Sequence, residues 1–546
     1  MSGIRVGTVV GNTSPQEYRF FLKSFAAKLG DLVYVEMDVP EARSSRPEPQ
    51  RQKALIWGRI VELSRFNPFL PAEAGQELAE EEIRLKDTVL SLSRDHVEGK
   101  VLVLGMTPPG DLTTMRPLNY PVSPGGTVVL PPAETVKTIL TGKEEVHRLR
   151  LGTLIGRPEV EVTIKTNALV ARHMAILAMT GGGKTVATRR IIRELLTVGY
   201  PLVILDPHGD YLGVYTKRDL FPGRKVRLFF PSVGVNEHNR DLVGYLVARM
   251  TQGFTDPQKD EYHEAAEKVS LPSDRDMPIG RFIDLVVQKL DEKKSGGGTV
   301  MRTLSAVKRG LRLVAEYMVA MEKSNERLRG RASLKEFPFE PMPDPKTSPA
   351  EFVQPNQASI LYLGGYDHLT QSTIAAIVLK ELFDHRAAMS NMIPPFLSVI
   401  EEAHNFIPSH GEGQSDTPSV EVIRKIITEG RKFGAGLLLV SQRPSRLDET
   451  ALSQCNTFLI FRLVNPRDQS FVEKVMENLS KDDSRLLPGF GPGQGIISGQ
   501  AVRFPLLVQV DYDGELETKA IGDENFVDAV TNWGKRPVKH VSGSNA

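Results

Sequence analysis

The segment from Ala178 to Thr185 reads AMTGGGKT, and it constrains the fold more than any other part of the chain. It lies between an apolar run and a stretch of helical periodicity, the strand–loop–helix context that a phosphate-binding loop requires. The usual pattern begins with glycine, where this chain has Ala178 with its small methyl group. A plain glycine-rich turn before a helix is the alternative interpretation, and the context favours a nucleoside triphosphate site.

The chemistry of this loop predicts a role for each residue type. Three consecutive glycines leave backbone N–H groups free to surround a phosphate, and the start of a helix favours negative charge. Lys184 can reach the β- and γ-phosphates of ATP, and the Thr185 hydroxyl can bind Mg²⁺. The residues expected to contact the nucleotide are Thr180, Gly181, Gly182, Gly183, Lys184, Thr185 and Val186.

Composition limits the number of domains, the kinds of partner and the compartment that can be expected for this chain. A chain of 546 residues predicts about three domains. Lys and Arg number 68 against 67 Asp and Glu, so contact with a polyanion requires a local patch of charge. The one cysteine, Cys455, excludes an internal disulfide and is expected to be a packed residue in a reducing compartment. The absence of a long apolar run predicts a cytoplasmic protein with no membrane partner.

Residues 1–165 predict a β-rich domain, either a small barrel or a sandwich. Short apolar runs recur between Gly, Pro and charged turns. The runs are Ile4 to Val10, Leu32 to Met37, Leu55 to Val61, Val101 to Leu104, Thr127 to Leu130 and Val160 to Ile164. A helix is expected at Glu73 to Leu92. The Pro- and Arg-rich segment Glu41 to Gln52 is expected to be an exposed loop, with phosphate contact by its arginines as the alternative.

Residues 166–520 predict an α/β domain with a parallel sheet, because buried strands alternate with long helical patterns. A helical insertion is expected at 235–345 and a tail at 521–546. The predicted strands are Pro201 to Leu205, Ser359 to Leu363, Phe396 to Ile400 and Leu437 to Val440. The predicted helices are Ile374 to Arg386, Val420 to Ile427, Phe282 to Leu290 and Met301 to Leu328.

Two carboxylates follow the strand in FLSVIEEAH, residues 396–404. The carboxyl end of a parallel strand is where ligands bind, and hydrolysis of ATP needs a metal-side group and a base for water. We expect Glu401 on the Mg²⁺ side, through water, and Glu402 as the base. Asp206, at the end of an earlier strand, is expected near Mg²⁺ or the attacking water. A solvated acidic helix start is the alternative for the glutamate pair.

Two further polar residues lie where they could respond to the γ-phosphate. Gln442 ends the strand LLLVSQ, where an amide could sense phosphate loss. Arg431, in EGRKFG, could serve a neighbouring subunit's nucleotide as an arginine finger. The alternative for Arg431 is a helix C-terminus, in which the cation complements the helix dipole before Gly434.

A GTPase is a further candidate, since Asp206 to Gly209 fits D-x-x-G and Thr216 to Asp219 resembles a guanine-reading motif. In a GTPase these two elements lie on separate strands. Here only ten residues separate them, so the spacing argues against that class.

The ordered motifs AMTGGGKT, LDPHGDY, VIEEAH, ITEGRKFGAGLLLVSQRPSRLD and LSQCNTFLIFRLVNPRDQ together resemble the HerA group of the FtsK–HerA superfamily. The resemblance implies a RecA-like core behind an N-terminal β-barrel. It implies a homo-hexameric, ATP-driven double-stranded DNA translocase that works with a NurA-like nuclease in end resection. It also implies the catalytic roles of Lys184, Glu402, Arg431 and Gln442, and a phosphate-side role for Arg172.

The type of cargo stays open in the sequence. The helix from Met301 carries Arg302, Lys308, Arg309 and Arg312, which could face DNA phosphates. The alternative is a solvated face in which Glu316 pairs with Arg312. A protein-cargo ATPase of the same fold and a ring-forming scaffold that activates a nuclease are the rival functions.

Overall fold

The computed structural model describes residues 3–23, 27–40, 51–67, 96–142, 147–230, 234–235, 237, 240, 255–272, 277–293, 298–329, 340–341, 349–388, 392–409, 417–476, 479–517 and 530–531. Internal contacts divide the chain into two compact units. The first unit comprises residues 1–194 and 440–512, and the second comprises residues 195–439 and 513–546.

The N-terminal strands of the first unit form a closed barrel in the order β1-β2-β5-β4-β3-β6. Its strands are β1 (Ile4–Val10), β2 (Glu17–Leu22), β3 (Leu32–Pro40), β4 (Arg51–Phe66), β5 (His96–Thr107) and β6 (Thr127–Leu130). The alternation of buried and exposed positions along β2 places Tyr18 and Phe20 in the barrel core. The barrel is therefore confirmed, and the sandwich that the same sequence pattern allowed is not formed.

One glycine of the barrel is required by packing. A Cβ on Gly99 would lie 2.4 Å from Cε1 of Phe20, so only glycine leaves room for the ring. On the same barrel, Trp57 is buried and its indole N–H donates to Oγ1 of Thr107 at 2.9 Å. The buried polar group of Trp57 is thereby satisfied.

The remaining strands of the first unit have the order β9-β18-β19-β20-β7-β8. They are β7 (Arg148–Leu154), β8 (Arg157–Lys165), β9 (Met174–Leu177), β18 (Thr457–Ile460), β19 (Gln494–Gly499) and β20 (Leu506–Val510). The expected strand at Val160 to Ile164 forms as part of β8 but lies outside the barrel, because β8 pairs with β7. Alternating apolar residues predict a strand without specifying its partner, which explains the wrong assignment.

Two ion pairs, one of them buried, join the barrel to the rest of the first unit. Arg59 Nη2 on β4 lies 2.6 Å from Oδ1 of Asp483, and both side chains are almost completely buried. Lys100 on β5 pairs with Asp482 at 2.9 Å. These contacts join residues more than 380 positions apart.

In the second unit the strands run parallel in the order β14-β11-β15-β10-β16-β17. They are β10 (Leu202–Asp206), β11 (Lys225–Phe230), β14 (Glu340–Pro341), β15 (Gln357–Tyr362), β16 (Phe396–Ile400) and β17 (Ala435–Ser441), and a separate pair joins β12 (Gly234–Val235) to β13 (Met277–Pro278). The chain passes into the first unit within β17, at residue 440. The four strands predicted here form, as expected of fully apolar runs in a parallel sheet.

The helices follow the predicted periodicity. They are α1 (Ala133–Thr141), α2 (Thr166–Ala171), α3 (Lys184–Thr197), α4 (Leu212–Thr216), α5 (Asp256–Glu267), α6 (Ile279–Glu292), α7 (Gly298–Arg329), α8 (Pro349–Phe352), α9 (His368–Ala387), α10 (Ser419–Phe433), α11 (Glu449–Ser453), α12 (Pro466–Val475) and α13 (Lys481–Ser484). Helices α5, α6 and α7 occupy the expected insertion. The α/β class with a barrel and a helical insertion is therefore confirmed.

Three predictions made from the sequence concern residues that the structure does not describe. The expected helix at Glu73 to Leu92, residues 41–50 of the arginine-rich segment and most of the 521–546 tail lie outside the described residues.

Cys455 is buried, and burial raises the pKa of its thiol to about 12, which fits the expected packing role. None of the helices in the described ranges has both the length and the apolarity that a bilayer-spanning segment needs.

Candidate functional site

The phosphate loop (Ala178–Thr185) joins the buried strand β9 to helix α3, which begins at Lys184. Backbone hydrogen bonds fix it from both sides. The N–H of Ala178 donates to Ser441 O at 3.2 Å, and the N–H of Met179 donates to Arg462 O at 3.0 Å. The methyl group of Ala178 is fully buried, so the departure from glycine at this position is accommodated.

The glycines of the phosphate loop are required by its backbone. Gly181 and Gly183 have φ of 76° and 109°, where any side chain would be strained. A Cβ on Gly183 would also lie 3.0 Å from the backbone of Gly493, whose N–H donates to Gly182 O at 3.3 Å. The loop therefore has the close-approach geometry that a phosphate cradle needs.

The predicted ligands begin the following helix. Lys184 is 9% exposed, while Thr185 and Val186 are half-buried in the first turn of α3. The helix N-terminus leaves backbone N–H groups without intrahelical acceptors, and these are suited to an anion. Arg172, just before β9, instead hydrogen-bonds the side chain of Gln500. Its phosphate-side role stays a prediction.

The structure brings Gln442 against the phosphate loop. Oγ1 of Thr180 donates to Oε1 of Gln442 at 2.7 Å, although the two residues are 262 positions apart. Thr180 is exposed at the loop's edge. An amide held by the loop is placed to respond when the loop's contacts change, as the sensor hypothesis requires.

In the second unit, the carboxylate turn (Glu401–His404) follows β16. Glu401 is fully buried and its carboxylate accepts a hydrogen bond from the hydroxyl of Tyr211. The N–H of Glu401 donates to Leu205 O at 3.3 Å, which ties the turn to β10. Glu401 is therefore held in place from β10 and from the turn after it, and its expected metal-side role stays a prediction.

Glu402 has a strained backbone. Its φ of 50° and ψ of 47° are left-handed, a conformation that costs a non-glycine residue roughly 1–2 kcal/mol. The side chain is 4% exposed, and Nδ1 of His404 lies 3.3 Å from its Oε2. Strained residues of this kind cluster at functional sites, so the backbone supports the choice of Glu402 as the base. The sequence reasoning missed His404, whose signal is its place in EEAH.

Asp206 shapes the turn that carries Tyr211. Its Oδ1 accepts hydrogen bonds from the N–H groups of Gly209 at 2.7 Å and Asp210 at 3.0 Å, and its Oδ2 accepts from Tyr211 at 2.9 Å. Complete burial raises the pKa of Asp206 to about 7, against the opposing effect of these bonds. The described contacts give Asp206 a structural task, and its metal role stays a prediction.

Arg431 lies in the last turn of α10 and is exposed. Among the described residues, no hydrogen bond or ion pair engages its side chain. The helix ends at Gly434 with φ of 70°, and the N–H of Gly434 donates to Gly430 O. The C-terminal geometry expected as the alternative is present, and it leaves the guanidinium of Arg431 in solvent.

The donor set fits a magnesium ion only together with a nucleotide. Within the described ranges, no group of three or more His, Cys, Asp or Glu could hold a metal ion. In phosphate-loop enzymes the phosphates and one loop hydroxyl supply ligands to the metal beside a strand-end carboxylate, and Thr185 is the hydroxyl that fits here.

A buried strand, a positive-φ glycine loop and a Lys-Thr helix start define a P-loop nucleoside triphosphatase. The family model "Helicase HerA, central domain" matches residues 149–382. A "Probable helicase" of Methanocaldococcus jannaschii is 26% identical over 93% of this chain and 91% of its own length. "DNA double-strand break repair helicase HerA" of Pyrococcus furiosus is 29% identical over 68% of this chain and 71% of its own. The structure of VirB4 of Thermoanaerobacter pseudethanolicus is 14% identical, with a TM-score of 0.46 over 69% of this chain and 99% of that one. Residues 149–382 are thus similar to the HerA central domain, and the chain is an ATP-hydrolysing enzyme.

Proposed function

We propose that this protein is an ATP-driven translocase and helicase of double-stranded DNA. It acts as a homo-hexamer in DNA end resection and recombinational repair, with a NurA-like nuclease as its partner. The similarity to relatives named as DNA double-strand break repair helicases supports this assignment. The observation that carries it is the Thr180–Gln442 hydrogen bond, because a motor must pass the state of its nucleotide to other elements.

Each residue has a task in this proposal. Lys184 and the loop N–H groups bind the phosphates of ATP, and Glu402 accepts a proton from the attacking water. Magnesium, held through Thr185 and through water by Glu401, would neutralise charge that develops on the phosphates. Arg431 of a neighbouring subunit would stabilise the transition state. Gln442 would sense the loss of the γ-phosphate after hydrolysis and pass that change to other elements of the protein.

A linear duplex is expected to stimulate ATP hydrolysis, and the assembly is expected to have the mass of a hexamer. The measurement is the ATPase rate with and without linear duplex DNA, paired with native mass spectrometry. An ATPase rate that is the same with and without duplex DNA would favour a protein-cargo ATPase. A ring that binds ATP and activates a nuclease without turnover would favour the scaffold.

Gln442→Ala is expected to lower DNA-stimulated turnover by about 10- to 100-fold, the loss of one hydrogen bond to a charged group. Thr180→Val is expected to lower it in the same direction, because it removes the donor to Gln442. Steady-state kinetics would measure both effects. The matched control is Thr180→Ser, which keeps the hydroxyl, and a Thr180→Val variant with unchanged kinetics would contradict the sensor role.

A further inference from the structure

Helix α7 presents two different faces. Its buried stripe consists of Leu304, Val307, Leu311 and Val314. The buried residues of α6, the preceding helix, are Ile279, Phe282, Ile283, Val286 and Leu290. Arg302, Arg309 and Arg312 lie on the other side of α7 and are exposed. The packing of the apolar stripe thus fixes the direction in which these arginines point.

The lysines and arginines of the insertion differ in their partners. Five lysines with described side chains, in α5 to α7 or directly after these helices, form ion pairs. These pairs are Lys259–Asp256, Lys268–Glu264, Lys289–Glu292, Lys293–Glu261 and Lys308–Asp291. No hydrogen bond or ion pair with any described residue involves Arg281, Arg302, Arg309 or Arg312.

This pattern corrects two expectations from the sequence. The predicted pairing of Arg312 with Glu316 does not occur in the described structure. Lys308 does not join the arginine cluster, because its Nζ is bound to Asp291 of α6. Three exposed arginines remain, and no described carboxylate neutralises them.

We propose that the arginine face of α7 (Arg302, Arg309 and Arg312) binds the phosphates of duplex DNA. This inference rests on the proposed function and names the surface that contacts the substrate. Arginine matches the geometry of phosphate with two parallel N–H donors and is more weakly hydrated than lysine. From 302 to 312 the helix rises about 15 Å, a length over which a duplex presents about nine phosphate charges.

A hydrogen bond links this helix to the residue that caps the N-terminus of α9. The hydroxyl of Tyr317 on α7 donates to Asp367. Asp367 caps α9 by accepting the N–H of Thr370 at 2.8 Å. Four residues earlier, the N–H of Leu363 donates to Asp206 O at 2.8 Å. DNA bound on α7 is therefore connected, within the second unit, to the turn that carries Tyr211, whose hydroxyl donates to Glu401.

The test is the salt dependence of duplex binding by the full chain. The triple variant Arg302→Gln, Arg309→Gln, Arg312→Gln is compared with wild type by fluorescence anisotropy on a random-sequence linear duplex. Each lost phosphate contact makes the negative slope of log K against log salt shallower by about 0.9, so its magnitude is expected to fall by up to about 2.7. The basal ATPase rate is expected to stay unchanged, with loss of the stimulation by DNA.

The matched control removes the same number of charges elsewhere in the insertion. The triple variant Lys259→Gln, Lys268→Gln, Lys289→Gln changes lysines that already have partners, and its slope is expected to equal that of wild type.

An unchanged slope in the arginine variant, with a wild type that binds duplex, would overturn the inference and leave the proposed function standing. Equal slope changes in both variants would also overturn it, because the effect would then be general charge. If the arginine variant lost binding to polyglutamate while its duplex slope stayed unchanged, the face would belong to an acidic protein and the inference would be wrong. A wild type that binds no duplex would remove the proposed function itself.

Discussion

Glu402→Gln is expected to lower kcat for ATP hydrolysis by about 10²- to 10⁴-fold, the range that a general base contributes. The amide keeps the shape of the side chain but cannot accept a proton from water. Nucleotide affinity is expected to persist, because the phosphate loop supplies the binding contacts. Single-turnover hydrolysis and equilibrium nucleotide binding would measure the two quantities separately.

Glu401→Gln is the matched control, since it makes the same chemical change one residue earlier. Its amide oxygen can still accept the hydrogen bond of the Tyr211 hydroxyl. We expect its main effect on the magnesium concentration that half-saturates turnover. If Glu402→Gln retained more than about a tenth of the wild-type rate, Glu402 would not be the base.

Asp483→Asn is expected to cost about 3–5 kcal/mol of stability, because it leaves the guanidinium of Arg59 buried without its counter-charge. The two side chains are only 2% and 1% exposed, and their atoms lie 2.6 Å apart. Asp483 also forms a capping box with Ser480, so the start of α13 would weaken as well. Urea unfolding followed by tryptophan fluorescence would report the loss, because Trp57 lies in the barrel.

The exposed pair Arg19–Glu98 provides the control on the same barrel. Arg19 is 51% exposed, and Arg19→Met is expected to cost less than about 1 kcal/mol. The double variant Arg59→Met, Asp483→Leu removes both buried charges and is expected to be more stable than Asp483→Asn alone. Strictly additive losses would contradict the view that the two residues act as a pair.

Much of the fold could be predicted because its signals are local. The strand Phe396–Ile400 and the strand Thr127–Leu130 have the predicted ends, since each is a short apolar run bounded by polar or turn residues. The pairing of strands could not be predicted in the same way. Val160 and its neighbours form a strand as expected, but the choice of partner depends on residues far along the chain.

The candidate site likewise has residues that the sequence predicted and contacts that it did not. The motif order identified the phosphate loop, the glutamate pair, Gln442 and Arg431 as candidates. The described contacts of Asp206, which organise the Tyr211 turn, were not visible in the strand-end pattern. Nor could the proximity of His404 to Glu402 be derived, because the strained left-handed backbone of Glu402 itself sets their separation.

The sequence by itself was enough to predict the chemistry proposed for this protein, because a glycine loop with Lys184 and Thr185 and a strand-end glutamate would act through residue types at fixed spacing. Tertiary structure alone decided which charges are available to partners. Lys308 and Arg309 are neighbours of the same charge in the sequence, yet among the described residues only Lys308 is paired with an acid. Their difference arises because the buried stripe of α7 rotates Lys308 towards α6 and Arg309 into solvent, and helix packing depends on both surfaces that meet.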